Sequence, residues 1–491
     1  MPLASHAAAE PLRDTSQVNA VRPLVIDGDR TFMTCDLARE TLVSYLKLNP
    51  DRLFDVLGWL GRGRSAVKRE LAQRVVVDVD KLPVNEALTT FAKEQAAAGR
   101  HVYLLVSLGS PLRGAIKARF PFITGVLERV AAGSSNATAA ADDLARRFPE
   151  GFDYAGSSGA DLDIWKRARS AILVDPSPRV RRRVAAVVPI AITLPGPSRA
   201  AGLLVSLRLH QWVKNLLVFA PMVLGGQVAD GGALQATVVA FLALGLVASS
   251  TYLINDILDV ADDRQHWSKR ERPIAKGQLR ASAAAVWAGV GLVAGLGLGA
   301  TVSSSAVAVL LLYVGLTLSY SLGLKRLPLI DGLVLAVQFT LRLALGVVAS
   351  QVPPSPWLFV FSMFFFTSLS LAKRYTELGR LSTVQLTKIA GRGYRTEDMP
   401  LVLAIGVAAG LGAVIIVILY IIDDAFRQSF YGATAWLWGF PALIFLLVCR
   451  IWLVTVRGEM HDDPVKFMLA DRVSQAVLAM LVICFAFAWL A

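Results

Sequence analysis

The sequence predicts two parts of different class: an α/β domain built on a parallel sheet, then an all-α membrane domain of nine transmembrane helices. Three observations carry this. Residues 1–180 read as an ordinary soluble sequence in which short apolar runs alternate with helix-like patterns. From about 212 onward, apolar stretches of roughly 18–22 residues recur, the length that crosses ~30 Å of hydrocarbon. The loops between those stretches segregate their Lys and Arg to one side.

In the first part, Pro23–Asp27 and Val102–Leu108 are apolar runs that each lead into a polar turn. Asp36–Leu46 and Ala137–Phe148 have helical spacing, which gives the βαβ rhythm of a parallel sheet. Residues 1–21 are polar and Ala-rich, predicted as a disordered N-terminus, with no apolar core of a signal peptide. The domain is therefore expected at 22–180, in the cytoplasm. Pro, Gly and Arg accumulate next, with Arg179, Arg181, Arg182 and Arg183 in a short run. This marks 181–207 as a basic juxtamembrane linker, leaving 208–491 for the membrane domain.

The nine apolar segments fall near 213–228, 233–254, 283–301, 303–322, 329–350, 355–372, 401–422, 434–453 and 474–490. Loops near 255–282, 323–328, 373–400 and 450–472 hold 6, 2, 6 and 4 Lys/Arg, whereas the opposite set holds only Arg427. The basic set faces the cytoplasm by the positive-inside rule, which puts the protein in the inner (cytoplasmic) membrane with a periplasmic C-terminus. The same distribution accounts for the net charge of +13 and excludes nucleic acid as the partner. Cys35, Cys449 and Cys484 have neither pairing nor zinc-ligand spacing.

The second apolar segment runs straight into Asn255-Asp256-Ile-Leu-Asp259-Val-Ala-Asp262-Asp263-Arg264-Gln-His266, then Lys269, Arg270, Arg272-Pro273-Ile-Ala-Lys276-Gly277. If the helix continues, 100° per residue places Asn255, Asp256, Asp259 and Asp263 within an arc of about 100°. Carboxylates that close repel one another unless a cation lies between them, and Mg²⁺ suits hard oxygen ligands completed by water and phosphate. Acids followed at once by six bases read as a diphosphate site with Asp256, Asp259 and Asp263 as metal ligands. The plain alternative is a solvated helix end.

That motif resembles the signature of the UbiA prenyltransferase superfamily over roughly residues 205–491. The resemblance implies an all-helical membrane fold with a polar central cavity open to the cytoplasm. Members that prenylate aromatic rings carry a second Asp-rich motif, and two acid clusters grip a prenyl diphosphate through two Mg²⁺. The corresponding stretch here, Tyr320-Ser321-Leu-Gly-Leu-Lys325-Arg326-Leu-Pro328 to Gln338, has the single acid Asp331. With Arg208-Leu-His210-Gln211-Trp212-Val-Lys214-Asn215, it resembles the polyprenyl-phosphate phosphoribosyltransferase branch, which makes the arabinofuranose precursor. The resemblance then implies Mg²⁺ as cofactor, phosphoribosyl pyrophosphate as donor and a polyprenyl phosphate lipid as acceptor. Similar two-domain layouts occur in rhizobial proteins tied to arabinosylation of nodulation factors.

In that reaction a lipid phosphate oxygen attacks C1 of ribose as pyrophosphate leaves, so cations are needed more than a base. Lys325 is the expected catalytic cation. Lys214, Asn255, Arg264, His266, Lys269, Arg270, Arg272, Tyr320, Arg342, Lys373 and Arg374 are the other expected phosphate- or substrate-binding residues. Arg342 sits within an apolar span, where an ionisable side chain is costly and functional by default. Lys325-Arg326 and Lys373-Arg374 also fit plain topology anchors. The charged stretch Arg457 to Arg472 reads either as a cap on the cytoplasmic mouth or as a solvated helix start.

In the soluble part, Val25-Ile-Asp27-Gly28-Asp29-Arg30-Thr31 resembles motif I of the haloacid-dehalogenase superfamily, in which the first Asp attacks phosphorus and the second is the general acid/base. Ser107 fits the motif II hydroxyl and Asp161 the remaining acid of motif IV. Arg30 replaces a Gly, Ser157 stands where an Asp is usual, and Asn136–Leu144 lacks the expected Lys. These departures imply a retained fold with lost catalysis. An active phosphatase, which would make the chain bifunctional, is the rival.

Three further readings remain at this point. One is an aromatic prenyltransferase with a polyprenyl diphosphate donor; another is a non-catalytic lipid-binding scaffold; the third is the bifunctional chain. The charge bias yields a direct prediction: alkaline phosphatase fused at the C-terminus is active, and fused within 373–400 is inactive. The reverse pattern overturns the orientation.

Overall fold

The computed structural model describes residues 22–490 except 30, 36–40, 43–44, 47–48, 50–51, 64–65, 68–69, 72–73, 75–77, 107–108, 130–135, 197–198, 267, 384–391, 424–430 and 461–462. The expected disordered stretch 1–21 and the motif II residue Ser107 lie outside the described residues, as does most of the helix expected over Asp36–Leu46. The chain divides into two compact units, one of residues 1–202 with 263–280 and one of 203–262 with 281–491.

The first unit carries a six-stranded parallel sheet in the order β3-β2-β1-β4-β5-β6. Its strands are β1 (Leu24–Asp27), β2 (Val102–Val106), β3 (Gly125–Glu128), β4 (Asp153–Gly156), β5 (Ser170–Val174) and β6 (Ile190–Leu194). Between them run α1 (Leu53–Gly61), α2 (Glu86–Ala97), α3 (Gly109–Arg119), α4 (Asn136–Arg147), α5 (Leu162–Arg167) and α6 (Pro178–Ala185). Alternate side chains feed two apolar clusters: Leu24, Ile26, Val102 and Leu104 join one, while Val25, Leu105, Tyr154 and Trp165 join the other. Burial on both faces is why these strands are continuous apolar runs rather than alternating ones. β1 lies between β2 and β4, where the strand order reverses, so Asp27 at its C-terminal end occupies the place where open α/β sheets bind ligands.

The linker expected at 181–207 is instead structured. Ser177 caps α6, Ile190–Leu194 pairs in parallel with β5, and α7 (Arg199–Ser206) follows. The basic run that suggested a tether is the exposed side of α6, and the β-branched Ile190-Ala-Ile-Thr stretch completes the sheet edge. The loop 263–280 belongs to this unit: Gly277, at φ +75°, lies so close to Thr34 and Pro83 that a Cβ there would overlap the Thr34 hydroxyl.

The second unit is all-helical. Eight helices among the described residues are long and apolar enough to cross a membrane: Gly231–Leu258, Ala281–Val302, Ser304–Leu322, Ile330–Ser350, Pro356–Leu381, Thr396–Asp423, Thr434–Val456 and Arg472–Trp489. They match eight of the nine expected segments. The other, 213–228, is not a long α-helix. It is a 3₁₀ helix over Leu209–Phe219 followed by the short α8 (Ala220–Leu224). The helices used below are α9 (Gly231–Leu258), α10 (Val260–Gln265), α11 (Ala281–Val302), α12 (Ser304–Leu322), α13 (Ile330–Ser350), α14 (Pro356–Thr383), α15 (Met399–Asp423), α16 (Gly439–Val456), α17 (Pro464–Ala470) and α18 (Arg472–Leu490).

The 3₁₀ segment is drawn into the bundle by two glycines. The Trp212 ring covers Gly245 of α9, and the Val218 carbonyl sits against Gly346 of α13, where a Cβ would approach it to 2.1 Å. A backbone oxygen cannot yield as a side-chain tip can, so Gly346→Val is expected to cost about 1–3 kcal/mol through overpacking. Thermal unfolding of the full chain in detergent checks this: the midpoint falls for Gly346→Val but not for Gly289→Ala, whose Cβ would meet nothing within 4 Å.

Candidate active site

The Asp-rich motif sits where α9 ends. Asn255 and Asp256 lie in its last turn, and Asp259 is the C-cap at φ −97°, ψ 4°. The helix therefore breaks at Asp259, and the regular 100° spacing expected to carry the arc on to Asp263 is interrupted. Among the described residues no three His, Cys, Asp or Glu side chains gather as a metal site.

Each carboxylate of the α9 terminus instead holds a basic side chain. Arg208 Nη2 donates to Asp256 Oδ1 at 2.5 Å, and Lys325 Nζ donates to both Asp259 oxygens at 2.7 and 2.8 Å. Ser321 Oγ donates to Asn255 Oδ1 at 2.8 Å. Lys325 comes from the 3₁₀ turn Leu324–Arg326 after α12 and is 7% exposed, which rules out a plain topology anchor facing water. Arg208 adopts the left-handed conformation at φ 50° and lies over the Tyr252 ring. A bulky residue in that region is strained and persists only where its surroundings fix it.

The donor set fits a hard divalent cation: two carboxylates and an amide oxygen crowd one helix end, and Mg²⁺ commonly takes one or two carboxylates plus substrate phosphates. Arg208 and Lys325 are the positive charges that such carboxylates need when buried.

The other expected residues divide between units. Asp263 accepts from Arg272 at 2.6 Å, and Arg264 Nε donates to the Ala275 carbonyl at 3.0 Å, both within the 263–280 loop. His266 Nδ1 faces the Ser268 and Lys269 amides, and Arg270 lies 3.7 Å from Glu271. In the helical unit, Lys214 pairs with Asp463, the N-cap of α17. Burial works to raise the Asp463 carboxyl, but Lys214 and Lys373 outweigh it and hold it below the usual carboxylate range. Lys373 itself makes no hydrogen bond or ion pair among the described residues. His461 and Asp462 of the expected cap lie outside the described residues.

Arg374 and Tyr320 are committed elsewhere. Arg374 donates to Asp331 at 2.6 Å and to Glu377 at 2.8 Å, while Arg392 reaches Asp331 at 3.3 Å and Tyr394 Oη donates to it at 2.5 Å. Tyr320 Oη accepts from Arg374 and Arg392. The single acid of the second motif is thus fully engaged by two guanidiniums and a phenol.

Arg342 lies inside the bundle at 4% exposure. Its Nε donates to Asn215 Oδ1 at 3.1 Å, Nη1 to the Gln338 carbonyl at 2.6 Å and Nη2 to Tyr313 Oη at 3.2 Å.

The sheet unit has a polar cluster of its own. Thr31 Oγ1 donates to Asp27 Oδ2 at 2.7 Å and pairs with Ser157 Oγ at 2.9 Å. Arg129, one residue past β3, reaches Asp161 at 3.1 Å, Tyr154 Oη at 3.3 Å and Asp27 at 3.4 Å. Burial raises the Asp27 carboxyl well above the usual range, Asp161 adds to this, and Arg129 opposes it. The basic side chain beside Asp27 and Asp161 is Arg129, outside Asn136–Leu144, and the sequence reading overlooked it. The signal was its place directly after a strand in the same sheet as Asp27. Arg208 was likewise quoted in a motif without a role.

The UbiA prenyltransferase family matches residues 218–472, more than half of the chain. The chain belongs to that family. The uncharacterized protein y4nM of Sinorhizobium fredii is 35% identical over 470 residues, 95% of this chain and 91% of that protein. Nodulation protein NoeC of Azorhizobium caulinodans is 31% identical over 276 residues, 54% of this chain and 85% of its own. Decaprenyl-phosphate phosphoribosyltransferase of Mycobacterium tuberculosis is 30% identical over 306 residues, 61% of this chain and 95% of its own. A solved UbiA homologue from Archaeoglobus fulgidus bound to GPP and Mg²⁺ aligns with a TM-score of 0.46 at 15% identity, covering 59% of this chain and 98% of that one. The UbiA-family domain is thus all-helical and multi-pass, and the family is one of transferases.

The Lys325–Asp259 pair generates a prediction. Lys325→Met strands a buried carboxylate and costs about 3–5 kcal/mol, while Lys325→Met with Asp259→Leu recovers most of the loss. Denaturation of both variants beside wild type measures it; equal losses for single and double variants contradict the pairing.

Proposed function

We propose that this chain is a Mg²⁺-dependent transferase that moves 5-phosphoribose from phosphoribosyl pyrophosphate to a polyprenyl phosphate in the inner membrane. One observation carries the choice of donor. A prenyl diphosphate held through two metals needs a second free acid cluster, and Asp331 is occupied by Arg374, Arg392 and Tyr394. The relatives named decaprenyl-phosphate phosphoribosyltransferase support the same choice, at 30% identity in M. tuberculosis and 37% over 188 residues in Mycolicibacterium smegmatis.

Asn255, Asp256 and Asp259 would hold Mg²⁺, which when bound supplies positive charge against the pyrophosphate leaving group. Lys325 and Arg208, already beside those carboxylates, add cations directed at the same oxygens. The acceptor phosphate oxygen forms its bond to C1 as the C1–O bond to pyrophosphate breaks and the electron pair leaves with pyrophosphate. The acceptor is already an anion, so no base is required.

The 3₁₀ segment is read here as a ninth crossing, which restores the cytoplasmic α/β domain and periplasmic C-terminus. Its 3₁₀ part, at ~2 Å per residue, is ~22 Å long, and α8 adds ~7 Å, together the thickness of the hydrocarbon core. Its neighbours run from Arg342 of α13, beside Asn215, to Val352, two residues past that helix, beside Gly225, which suits a traverse.

A second activity is favoured by one observation in the sheet unit. Arg129 beside Asp27 and Asp161 supplies the positive charge whose absence argued for a dead haloacid-dehalogenase-like phosphatase. An inactive domain remains the first reading of this unit, and Arg129 favours the bifunctional chain as its alternative. Comparing phosphate release from a phosphorylated pentose by the full chain and its Asp27→Asn variant decides between them.

Asp256→Asn and Asp259→Asn are each expected to lower transfer of labelled phosphoribose into lipid by at least a hundredfold, about 3 kcal/mol of lost charge stabilisation. Membranes with folded variant, labelled phosphoribosyl pyrophosphate, polyprenyl phosphate and Mg²⁺ give the readout. Near wild-type turnover by either variant removes the site assignment.

A further inference from the structure

The bundle of a membrane protein is a poor place for an uncompensated charge. The buried cations Lys325 and Arg374 have carboxylates, Asp259 and Asp331, and the half-buried Arg208 has Asp256. Arg342 has none among the described residues. Its partners are neutral: the Asn215 amide oxygen, the Gln338 carbonyl and the Tyr313 hydroxyl, with the Tyr313 and Phe339 rings 5.2 and 5.0 Å from its guanidinium. Ring faces offset part of a cation's desolvation, not all of it.

A second, independent observation lies one helical turn earlier. The Gln338 side-chain amide nitrogen is buried and has no hydrogen-bond partner. Gln338 is 9% exposed, and a buried donor left without an acceptor is destabilising. A guanidinium without an anion and a donor without an acceptor, adjacent on one helix, are complementary to the same thing.

We propose that Arg342 and Gln338 form a phosphate-monoester subsite inside the helical bundle, distinct from the carboxylates Asp256 and Asp259. The separation argues against one diphosphate serving both. Ser249, bonded to Trp212, precedes Asp256 by seven residues, ~10 Å along α9. Asn215, beside Arg342, lies three residues past Trp212, ~6 Å further along the 3₁₀ helix. A group that meets Arg342 is therefore a second anion. The guanidinium fork and an amide N–H match phosphate oxygens, and Asn215 and Tyr313 hold the fork in place. Only the source of the phosphate rests on the transfer reading: it is the headgroup of the lipid acceptor or the 5-phosphate of the sugar donor.

The test uses the purified full chain in detergent and ligand-induced shifts of the unfolding midpoint. Farnesyl phosphate, ribose 5-phosphate and farnesol are titrated against wild type, Arg342→Gln and Gln338→Leu. One phosphate monoester is expected to raise the midpoint while farnesol does not, and both variants bind it at least tenfold more weakly. A response to farnesyl phosphate assigns the subsite to the lipid; a response to ribose 5-phosphate assigns it to the sugar. The proposal is overturned if neither phosphate shifts wild type at millimolar concentration, or if the variants retain wild-type affinity. If Arg342→Gln does not fold, Gln338→Leu decides by the same criterion. Binding is read without turnover, so failure of the transfer reading leaves a distinct mark: an Arg342-dependent phosphate shift with no labelled lipid formed.

Discussion

Charge held out of water organises the helical unit. Asp256, Asp259, Asp331 and Asp463 are each drawn against a basic side chain from another segment, and each pairing fixes where two segments meet. Arg208 ties the start of the 3₁₀ segment to the end of α9, and Lys325 ties the turn after α12 to the same helix end. Arg374 and Arg392 close α14 and the following loop onto the start of α13. Removing one member of such a pair strands the other in low dielectric, which is why these contacts are more than topology signals. The same pairs make the α9 terminus a place where positive charge is always expected, by side chain alone or with a metal and a diphosphate.

The two Asp-bearing stretches consequently differ in kind. At Asp256 and Asp259 the carboxylates lie at the end of a helix, beside Arg208 and Lys325. At Asp331 two guanidiniums and a tyrosine hydroxyl converge on one carboxylate inside the protein. The first is suited to exchange its partners for substrate; the second is suited to hold a loop. Arg342 inverts the pattern, a cation awaiting an anion, and its apolar and neutral surroundings make it responsive to whatever anion arrives.

Much of this was legible in the residues. Eight of nine apolar segments became long helices because length and hydropathy suffice to specify a span. The parallel sheet followed from Pro23–Asp27 and Val102–Leu108, apolar on both faces. What failed did so for local reasons. The 213–228 segment is no long α-helix: its 3₁₀ part packs closely because Gly245 admits the Trp212 ring and Gly346 the Val218 carbonyl, a long-range fact that no local pattern encodes. The arc of four acid and amide residues presumed a helix that breaks at Asp259. The basic run near 181–183 read as a tether but is one face of a helix followed by a sixth strand. Arg129 was overlooked because it is far in sequence from Asp27 and Asp161, and only the sheet order β3-β2-β1-β4 brings them together.

The central claim is that the carboxylates of the α9 terminus serve a sugar diphosphate donor. The most direct measurement offers the purified chain both donor–acceptor pairs with Mg²⁺ in one assay, and identifies the lipid products by mass spectrometry. One pair is phosphoribosyl pyrophosphate with polyprenyl phosphate; the other is polyprenyl diphosphate with an aromatic acid such as 4-hydroxybenzoate. Polyprenyl-phosphoryl phosphoribose as the product is the predicted result. A prenylated aromatic acid, with no phosphoribosylated lipid, would contradict the account.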